Sequence, residues 1–530
     1  MVLRDTVPIV VGVTGHRDIR PEDRDALCNA VEKILLALRE KCPHSGIVML
    51  NSLARSADQL CAEAALKLSI PLTVVLPMAQ EEYEKDFSGE ELLRFRTLCG
   101  AAKECFIAPE TEQAPLSPDR DFAYRQAGIF VAAHAHVLLA LWDGDQTAAL
   151  SCGTAETVGF ALEGAYEPKN AIPLGGNCPV WQVRTPRSGA EGEGAGKVRF
   201  LGDEAAFELT LARTDEFNKL AGQEPRPQRA LLPAEREPDE CLDRLETLYE
   251  KADALSIRFA ERYRRLLAAL AVISTVITVA FLLYDEAELH WMILVCGAML
   301  LLAWILQRRG KRIASHRRYL EYRMLAEGMR VQAFLRYAGR GGTVADILPW
   351  SAKTEAGWVA AALNACAAAG APKAVHAIRD VWVEQQRRYH EKAIGHSGRA
   401  FRSSERIVGA ALRISIGLYF AVLVFEAVWG GLLPFSRQIA EAEKYRTLSK
   451  LLLGSVSAAA LFISHYYGRL SLSRVTSDHV KMERFYRTVR DRIDRFGETP
   501  GLLCLIAREE LTENVSWCSY QRDNTAHFDL

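Results

Sequence analysis

Two stretches near the middle of the chain contain no Asp, Glu, Lys or Arg, and they restrict the possible folds more than any other feature. They cover residues 266–284 and 289–307, and Asp285, Glu286 and Glu288 lie in the short break between them. A helix needs roughly 20 apolar residues to cross the hydrocarbon core of a bilayer, which is about the length of each stretch. We therefore predict a transmembrane hairpin of two helices joined by a tight turn.

The charges that flank this hairpin predict its orientation. Arg258, Arg262, Arg264 and Arg265 precede the first stretch, and Arg308, Arg309, Lys311, Arg312, Arg317 and Arg318 follow the second. Because Lys and Arg concentrate on the cytoplasmic side of membrane proteins, both ends of the hairpin are predicted to be cytoplasmic. A buried hairpin in a large soluble domain is the alternative, but soluble helices of this length seldom lack charge on every face.

A second apolar pair follows at residues 414–435 and 451–468, also predicted to be a transmembrane hairpin. Basic residues again flank the pair on its outer sides, which places those ends in the cytoplasm. The loop between the two spans is also basic, however, with Arg437, Lys444, Arg446 and Lys450. Glu426, inside the third span, is either a functional intramembrane carboxylate or a residue that reaches the interface.

Composition excludes several classes of protein. The net charge of −1 over 530 residues gives no basic excess for binding nucleic acid. Twelve cysteines occur without a C-x-x-C pair, so no metal site is predicted. The first residues include Arg4 and Asp5 and no apolar core, so no signal peptide is predicted. We expect a multi-pass protein of the inner membrane with both termini in the cytoplasm.

The first 186 residues alternate short apolar runs with amphipathic stretches. Apolar runs at residues 7–13, 47–50, 72–76, 135–142 and 180–184 are separated by stretches with helical periodicity, such as residues 22–41. Strict alternation of strand and helix predicts an α/β, Rossmann-like parallel sheet with helices on both faces. An all-α membrane region with two transmembrane hairpins is predicted to follow this N-terminal domain.

The predicted domains are as follows: a nucleotide-binding domain at 1–186; a linker with an edge strand and a helix at 187–240; a long helix and the first hairpin at 241–312; a cytoplasmic helical region at 313–411; the second hairpin at 412–468; and a cytoplasmic helix and tail at 469–530.

Four segments follow successive predicted strands and should converge, because ligands bind at the carboxyl ends of parallel strands. They are residues 12–17, residues 52–58, residues 76–77 with 83–87, and residues 142–144 with 151–156. Glycine lets the backbone approach a phosphate, Arg17 offers a bidentate cation, and the small residues before Thr154 open a helix whose N-terminus favours an anion. Each segment alone is equally explained by a tight turn, a helix cap or core packing.

Together the ordered motifs GVTGHR, NSLARSADQL, VLPM, YEKDF, LWDG and CGTAETV resemble the SLOG superfamily of Rossmann-like nucleotide-binding domains. The resemblance covers about the first 185 residues and implies a nucleotide-derived ligand. The residues it implies as lining the site are Gly12, Thr14, Gly15, His16, Arg17, Ser52, Asp58, Gly153 and Thr154. The strand-end argument adds Pro77, Trp142 and Glu156.

The chain departs from the catalytic motif of the LOG-type hydrolases in that superfamily, P-G-G-x-G-T-x-x-E. Residues 149–152 lack its glycine pair, Thr157 replaces its glutamate, and Glu156 is one position early, a step of about 100° on a helix. The departure favours ligand sensing over base-cleaving hydrolysis, in which Glu156 and Arg17 would be catalytic.

A SLOG-like domain joined to membrane helices resembles bacterial conflict systems with SLATT-type effectors. That resemblance implies a sensor that binds a nucleotide-derived signal and acts through the bilayer. The expected partners are this small molecule, lipid and further copies of the chain, without a separate cofactor. A tethered hydrolase is the first alternative, and an assembly protein with an empty nucleotide fold is the second.

Overall fold

The architecture is taken from a computed structural model that describes residues 5–113, 115, 119–145, 153–166, 178–188, 194–225, 231–429, 441–469 and 471–523. Residues 149–152, most of the Gly-rich stretch of the predicted linker, residues 430–435 of the third predicted span and Arg437 lie outside these ranges. The described chain forms two compact units. The first contains residues 1–255, 321–378 and 498–519, and the second contains residues 256–320, 379–497 and 520–530.

A seven-stranded sheet forms the centre of the first unit, as the alternating pattern predicts. The strands are β1 (Ile9–Gly15), β2 (Ile47–Asn51), β3 (Leu72–Leu76), β4 (Glu104–Ile107), β5 (Val137–Trp142), β6 (Val180–Arg184) and β7 (Val198–Leu201). Their order is β4-β3-β2-β1-β5-β6-β7. All neighbouring pairs are parallel except β6 and β7, which are antiparallel.

Helices cover both faces of this sheet. They are α1 (Arg24–Lys41), α2 (Ala57–Lys67), α3 (Gln80–Tyr83), α4 (Gly89–Ala101), α5 (Arg120–His134), α6 (Thr154–Glu163) and α7 (Glu204–Ala221). Successive residues of a strand point to opposite faces, so Val11 packs in the core with α1, α2 and α4, whereas Val10 packs in the core with α5 and α6. Both faces of the strands are therefore apolar, as in other parallel sheets.

The remaining helices are longer. They are α8 (Glu240–Glu286), α9 (Met292–Ile313), α10 (Ser315–Tyr337), α11 (Trp350–Glu355), α12 (Gly357–Ala367), α13 (Gln385–Val428), α14 (Ala442–Arg469), α15 (Leu472–Phe496) and α16 (Pro500–Asp523). Helix α8 has 47 residues, about 70 Å at 1.5 Å per residue. It is a single helix, as the periodicity after Asp239 predicts.

Part of the region predicted as a separate helical segment, 313–411, belongs to the sheet-containing unit. Residues 321–378 pack there, and Ala365 of α12 lies in the same core cluster as Val10 and Leu138. A buried ion pair fixes the start of α8 in this unit. Asp239 accepts hydrogen bonds from the N–H groups of Cys241 and Leu242, and its other oxygen lies 2.7 Å from Nε of Arg336.

The second unit contains the apolar helices. Among the described residues, four helical stretches are long and apolar enough to cross a membrane: Glu240–Glu286, Met292–Tyr337, Arg379–Val428 and Glu443–Phe496. The first and fourth contain the predicted spans 266–284 and 451–468. The second begins three residues into the predicted span 289–307, and the third ends at Val428, within the predicted span 414–435. At most 11% of the most apolar window of any of them is buried within the protein. Side chains such as Leu294, Phe420 and Leu461 are exposed, which suits a lipid environment and would be costly in water.

Candidate functional site

The order of the strands places a crevice beside β1. Strands β2, β3 and β4 follow β1 on one side, and the chain then returns to add β5 on the other side. The connections from β1 and β5 leave the sheet in opposite directions, and ligands bind at such switch points. A cleft of about 480 Å³ opens at this position, within the size range of small-molecule sites.

Nine of the twelve predicted site residues line this cleft. They are Thr14, Gly15, His16, Arg17, Ser52, Asp58, Pro77, Gly153 and Thr154. They come from the ends of β1, β2 and β3 and from the start of α6. The four segments singled out from the sequence therefore meet at one place, since each follows a strand whose carboxyl end is at the same edge of the sheet.

Gly12, Trp142 and Glu156 do not line the cleft. A Cβ atom on Gly12 would lie 2.9 Å from Cγ1 of Val131, so glycine is required there for packing against α5. Trp142 is buried in the core on the α5 and α6 face of the sheet. Glu156 instead forms an ion pair with Arg125, which also binds Glu112.

Thr157, one turn after the start of α6, faces the cleft as Thr154 does. It occupies the place of the glutamate in the LOG-type motif, one residue after Glu156. A helical step of about 100° separates the two side chains, which explains why only Thr157 lines the cleft. Gly128 of α5 makes room for it, because a Cβ atom on Gly128 would lie 2.9 Å from Oγ1 of Thr157.

Arg17 is the cation most available to a ligand in the cleft. Its side chain is exposed, and the guanidinium lies over the ring of Tyr124, 4.9 Å from the ring centroid. No carboxylate among the described residues forms an ion pair with it. Tyr124 is itself held in place, because its hydroxyl bonds to Asp86 and to Arg120. Stacking on a fixed ring orients Arg17 and leaves its N–H groups free for an anion.

His16 joins the ends of two neighbouring strands. Its backbone N–H donates to the carbonyl of Leu141 at 3.0 Å, and its Nε2 accepts from the N–H of Asp143 at 3.1 Å. Burial lowers the pKa of His16 and outweighs the nearby Asp143 carboxylate. Oδ1 of Asp143 also lies 3.2 Å from the same Nε2. Its position gives His16 a structural role at the floor of the cleft.

Asp58 is the buried acid of the cleft. Burial raises its pKa to about 7, although the hydrogen bond from the Ala54 N–H and the charge of Arg17 act in the opposite direction. The Ala54 N–H lies 3.2 Å from Oδ2 of Asp58. Near neutral pH this carboxyl is thus present in both protonation states, and a ligand that donates to it or accepts from it would select one of them.

The loop that carries Asp58 is held in an uncommon backbone conformation. Leu53 and Ser56 have φ values of 55° and 61°, which cost on the order of 1–3 kcal/mol each for residues with a side chain. The side chain of Asn51 stabilises this loop, since it accepts from the Leu53 N–H at 2.7 Å and donates to the Asp58 carbonyl at 2.8 Å. Such strain is typical of ligand-binding loops.

Helix α5 and the segment after β6 contribute residues to the cleft that were not predicted from the sequence. Tyr124, Asp121 and Gly128 line the cleft from α5, and Arg187 lines it from beyond β6. Nε of Arg187 lies 3.1 Å from Oδ2 of Asp143, so this second cation is already paired. The Asp119 cap, which accepts from the Phe122 N–H, marks the start of α5 in the sequence, but no sequence signal shows which helix face meets the cleft.

Glu426, the carboxylate predicted within the third span, is paired. Both of its oxygens accept hydrogen bonds from Arg446, at 2.8 and 2.9 Å. Lys450 reaches Glu286 at the end of α8, at 2.9 Å, and Lys444 reaches Glu441 at 3.2 Å. Three of the basic residues that make the second loop unusual are thus neutralised by neighbouring carboxylates.

Together these features define an α/β protein with a Rossmann-like sheet, a polar cleft at the switch point and four apolar helices. A family model described as a protein of unknown function (DUF4231) matches residues 248–343. These residues include most of α8, all of α9 and α10, and none of the cleft. No curated protein matches the chain. Among the described residues, no group of three or more His, Cys, Asp or Glu side chains could hold a metal ion.

Proposed function

We propose that this protein is a membrane-anchored sensor and effector whose cleft binds a nucleotide-derived anion and whose apolar helices respond to that binding. The observation that carries the proposal is Arg17. It is an exposed guanidinium, without a carboxylate partner among the described residues, at the mouth of a switch-point cleft. A cation that the protein leaves unneutralised suits a phosphate, which Arg can bind through two hydrogen bonds.

The start of α6 supports the same ligand chemistry. Gly153 and Thr154 line the cleft, and the first N–H groups of the helix lack acceptors within the helix. These groups and the helix dipole favour a negative charge. Together with Arg17 they leave the polar portion of the cleft suited to a phosphoryl group, while Tyr124 offers an aromatic face.

Binding without hydrolysis is the better supported reading of the cleft. The acid that hydrolysis would need is not Glu156, because that carboxylate is engaged with Arg125 outside the cleft. Thr157 stands where the LOG-type glutamate would be, and a hydroxyl is a poor general base. If Glu156→Gln abolished product formation from a nucleotide, the hydrolase alternative would be correct instead.

The link from cleft to membrane in this proposal is the chain itself. Helix α8 continues without a break from Glu240 into the first apolar stretch. Ligand binding would change the packing or association of the four apolar helices, and it could do so only through different affinities for two states. The chain would lie in the inner membrane with both termini in the cytoplasm. The basic residues after the second span, Arg309, Lys311 and Arg312, support this orientation.

Calorimetry on the full-length protein in detergent tests the binding step. We expect one or more members of a panel of linear, cyclic and NAD-derived nucleotides to bind, and Arg17→Ala to weaken that binding by at least tenfold. Arg94→Ala is the matched control, because Arg94 is a surface arginine of α4 that does not line the cleft. Absence of binding by every member, or equal losses in both variants, would contradict the proposal.

Dye release from liposomes tests the response. With the protein reconstituted, the nucleotide that binds should accelerate release, and Arg17→Ala should require a higher nucleotide concentration for the same rate. Binding without any change in release would show that the cleft is a nucleotide site that does not act on the bilayer.

A further inference from the structure

Four arginines form a stripe along one face of α13. Arg399, Arg402, Arg406 and Arg413 are separated by three, four and seven residues, so at 100° per residue they lie within about 60° of one another. All four side chains are exposed. Residues of the same helix that are buried, such as His390 and Ser404, lie on the opposite face. The stripe therefore points away from the helices that pack against α13.

The protein does not neutralise this stripe. Among the described residues, none of the four arginines forms an ion pair with a carboxylate. The basic residues near the other end of this apolar segment differ, because they have carboxylate partners. Arg446 pairs with Glu426, and Lys450 pairs with Glu286.

The spacing along α13 places the stripe at a membrane surface. From Glu426 back to Arg406 there are 20 residues, or about 30 Å of helix, which is the thickness of the hydrocarbon core. If the Glu426–Arg446 pair lies at one interface, Arg406 lies at the other. Between them the helix exposes apolar side chains, among them Leu412, Ile414 and Phe420.

Arg413 is the exception within this apolar stretch, about 10 Å beyond Arg406 along the helix. Its side chain turns back toward Arg406, and its Nη1 lies 3.6 Å from where a Cβ atom on Gly409 would be. Glycine at 409 leaves the path along the helix open. A guanidinium that turns back in this way reaches toward the phosphates at the interface while its stem stays among the acyl chains.

We propose that Arg406 and Arg413 form a binding site for the phosphate of an anionic glycerophospholipid, with Arg399 and Arg402 adding longer-range attraction. The site lies on the membrane region and does not depend on a nucleotide in the cleft. The segment of α13 around Arg406 would then bind anionic lipids more tightly than zwitterionic lipids. A zwitterionic lipid has the same phosphate, but its headgroup also carries a cation that would repel the arginines.

Lipid titration of the full-length protein in detergent tests this site. The double variant Arg406→Gln/Arg413→Gln should bind phosphatidylglycerol roughly 25-fold more weakly than the wild type, at about fivefold for each arginine near an anionic surface. Binding of phosphatidylcholine should change less than twofold. Arg484→Gln/Arg495→Gln removes the same charge from exposed positions of α15 and should leave both affinities unchanged.

The charge-preserving variant Arg406→Lys/Arg413→Lys should retain most of the selectivity, which keeps the test valid if the glutamine variant does not fold. The proposal would be wrong if the α15 control lost as much phosphatidylglycerol affinity as the glutamine variant, or if the glutamine variant bound phosphatidylglycerol as the wild type does. A loss of oligomer mass at unchanged lipid affinity would also contradict it, because the stripe would then face a second copy of the chain.

Discussion

The ion pair at the start of α8, in the sheet-containing unit, is far more buried than the pair at Glu426, in the unit of apolar helices. Arg336 and Asp239 are both almost fully buried, as are Arg330 and Glu510 in the same unit. Arg446 and Glu426 are both partly exposed. Buried pairs are costly to break from one side because the remaining charge has no water, whereas exposed pairs contribute little. Stability should thus depend on the Arg336–Asp239 pair far more than on the Arg446–Glu426 pair.

The buried pair at the start of α8 should give the largest effect. Arg336→Ala leaves Asp239 charged and nearly inaccessible to water, so we expect a loss of about 3–5 kcal/mol in unfolding free energy. Lys103→Ala is the control, because its pair with Glu240 is exposed and should be worth less than about 1 kcal/mol. Thermal melting of the purified full-length protein measures both, and similar losses would show that burial does not govern these pairs.

Two buried histidines should make the first unit sensitive to acid. Burial lowers the pKa of both His134 and His136 to about 4 from the ordinary value of 6.5. These histidines bind protons more readily in the unfolded chain than in the folded one. The free energy of unfolding should therefore be unaffected by them above pH 6.5 and should decrease as the pH falls from 6.5 toward 4.

Each histidine should account for about 2–3 kcal/mol of that loss at pH 4. His136→Asn retains an acceptor for the Val10 N–H that now bonds to Nδ1 at 3.2 Å. Unfolding measured at pH 7 and pH 4.5 should show a smaller difference in this variant than in the wild type. An unchanged difference would mean that other groups cause the acid sensitivity.

Replacement of Gly15, at the floor of the cleft, should have the next largest effect on the free energy of unfolding. A Cβ atom on Gly15 would lie 2.4 Å from Cβ of Ala57, so Gly15→Ala must displace the start of α2 and should cost about 1–3 kcal/mol. Nothing lies within 4 Å of a Cβ atom on Gly100 in α4, so Gly100→Ala should instead stabilise by about 0.5–1 kcal/mol. Melting temperatures that shift in opposite directions would support the packing argument, and shifts of the same sign would refute it.

The smallest effect should come from the second unit. Glu426→Gln removes the carboxylate bound to Arg446, but both side chains are partly exposed, so we expect a loss of about 1 kcal/mol or less in detergent. Lys444→Gln, which affects an exposed pair, should have no measurable effect. A loss from Glu426→Gln as large as that from Arg336→Ala would remove the difference between the two units.

Local sequence patterns predicted the elements well because their causes are local. The observed bounds of β3 and β6 are the predicted ones, since runs such as Leu72–Leu76 are continuous buried stretches ended by Pro or charge. Helix α1 begins two residues later than predicted and ends at the predicted residue. The length and apolar character of the four predicted spans, of which only the third contains a charged residue, Glu426, likewise predicted the four long apolar helices among the described residues. These properties follow from residue type and spacing, which the sequence states directly.

The cleft was only partly predictable, because its far wall comes from distant segments. The residues after β1, β2 and β3 were found since strand ends in a parallel sheet share one edge. Tyr124 and Arg187 were missed, because their places depend on which faces of α5 and the segment after β6 turn toward β1. Glu156 was included because its segment follows the end of β5, and only the rotation of α6 shows that Thr157 faces the cleft in its place.

The sequence by itself thus determined the classes of structure: a parallel sheet from alternating apolar runs, and membrane-length helices from the absence of charge. Only the tertiary structure decided the pairings. It joined residues 321–378 to the sheet, paired Glu426 with Arg446, and left Arg17 and the α13 arginines without carboxylate partners among the described residues. The physical reason is that periodicity is fixed between neighbours along the chain, whereas partners are chosen by packing between residues that may be hundreds of positions apart.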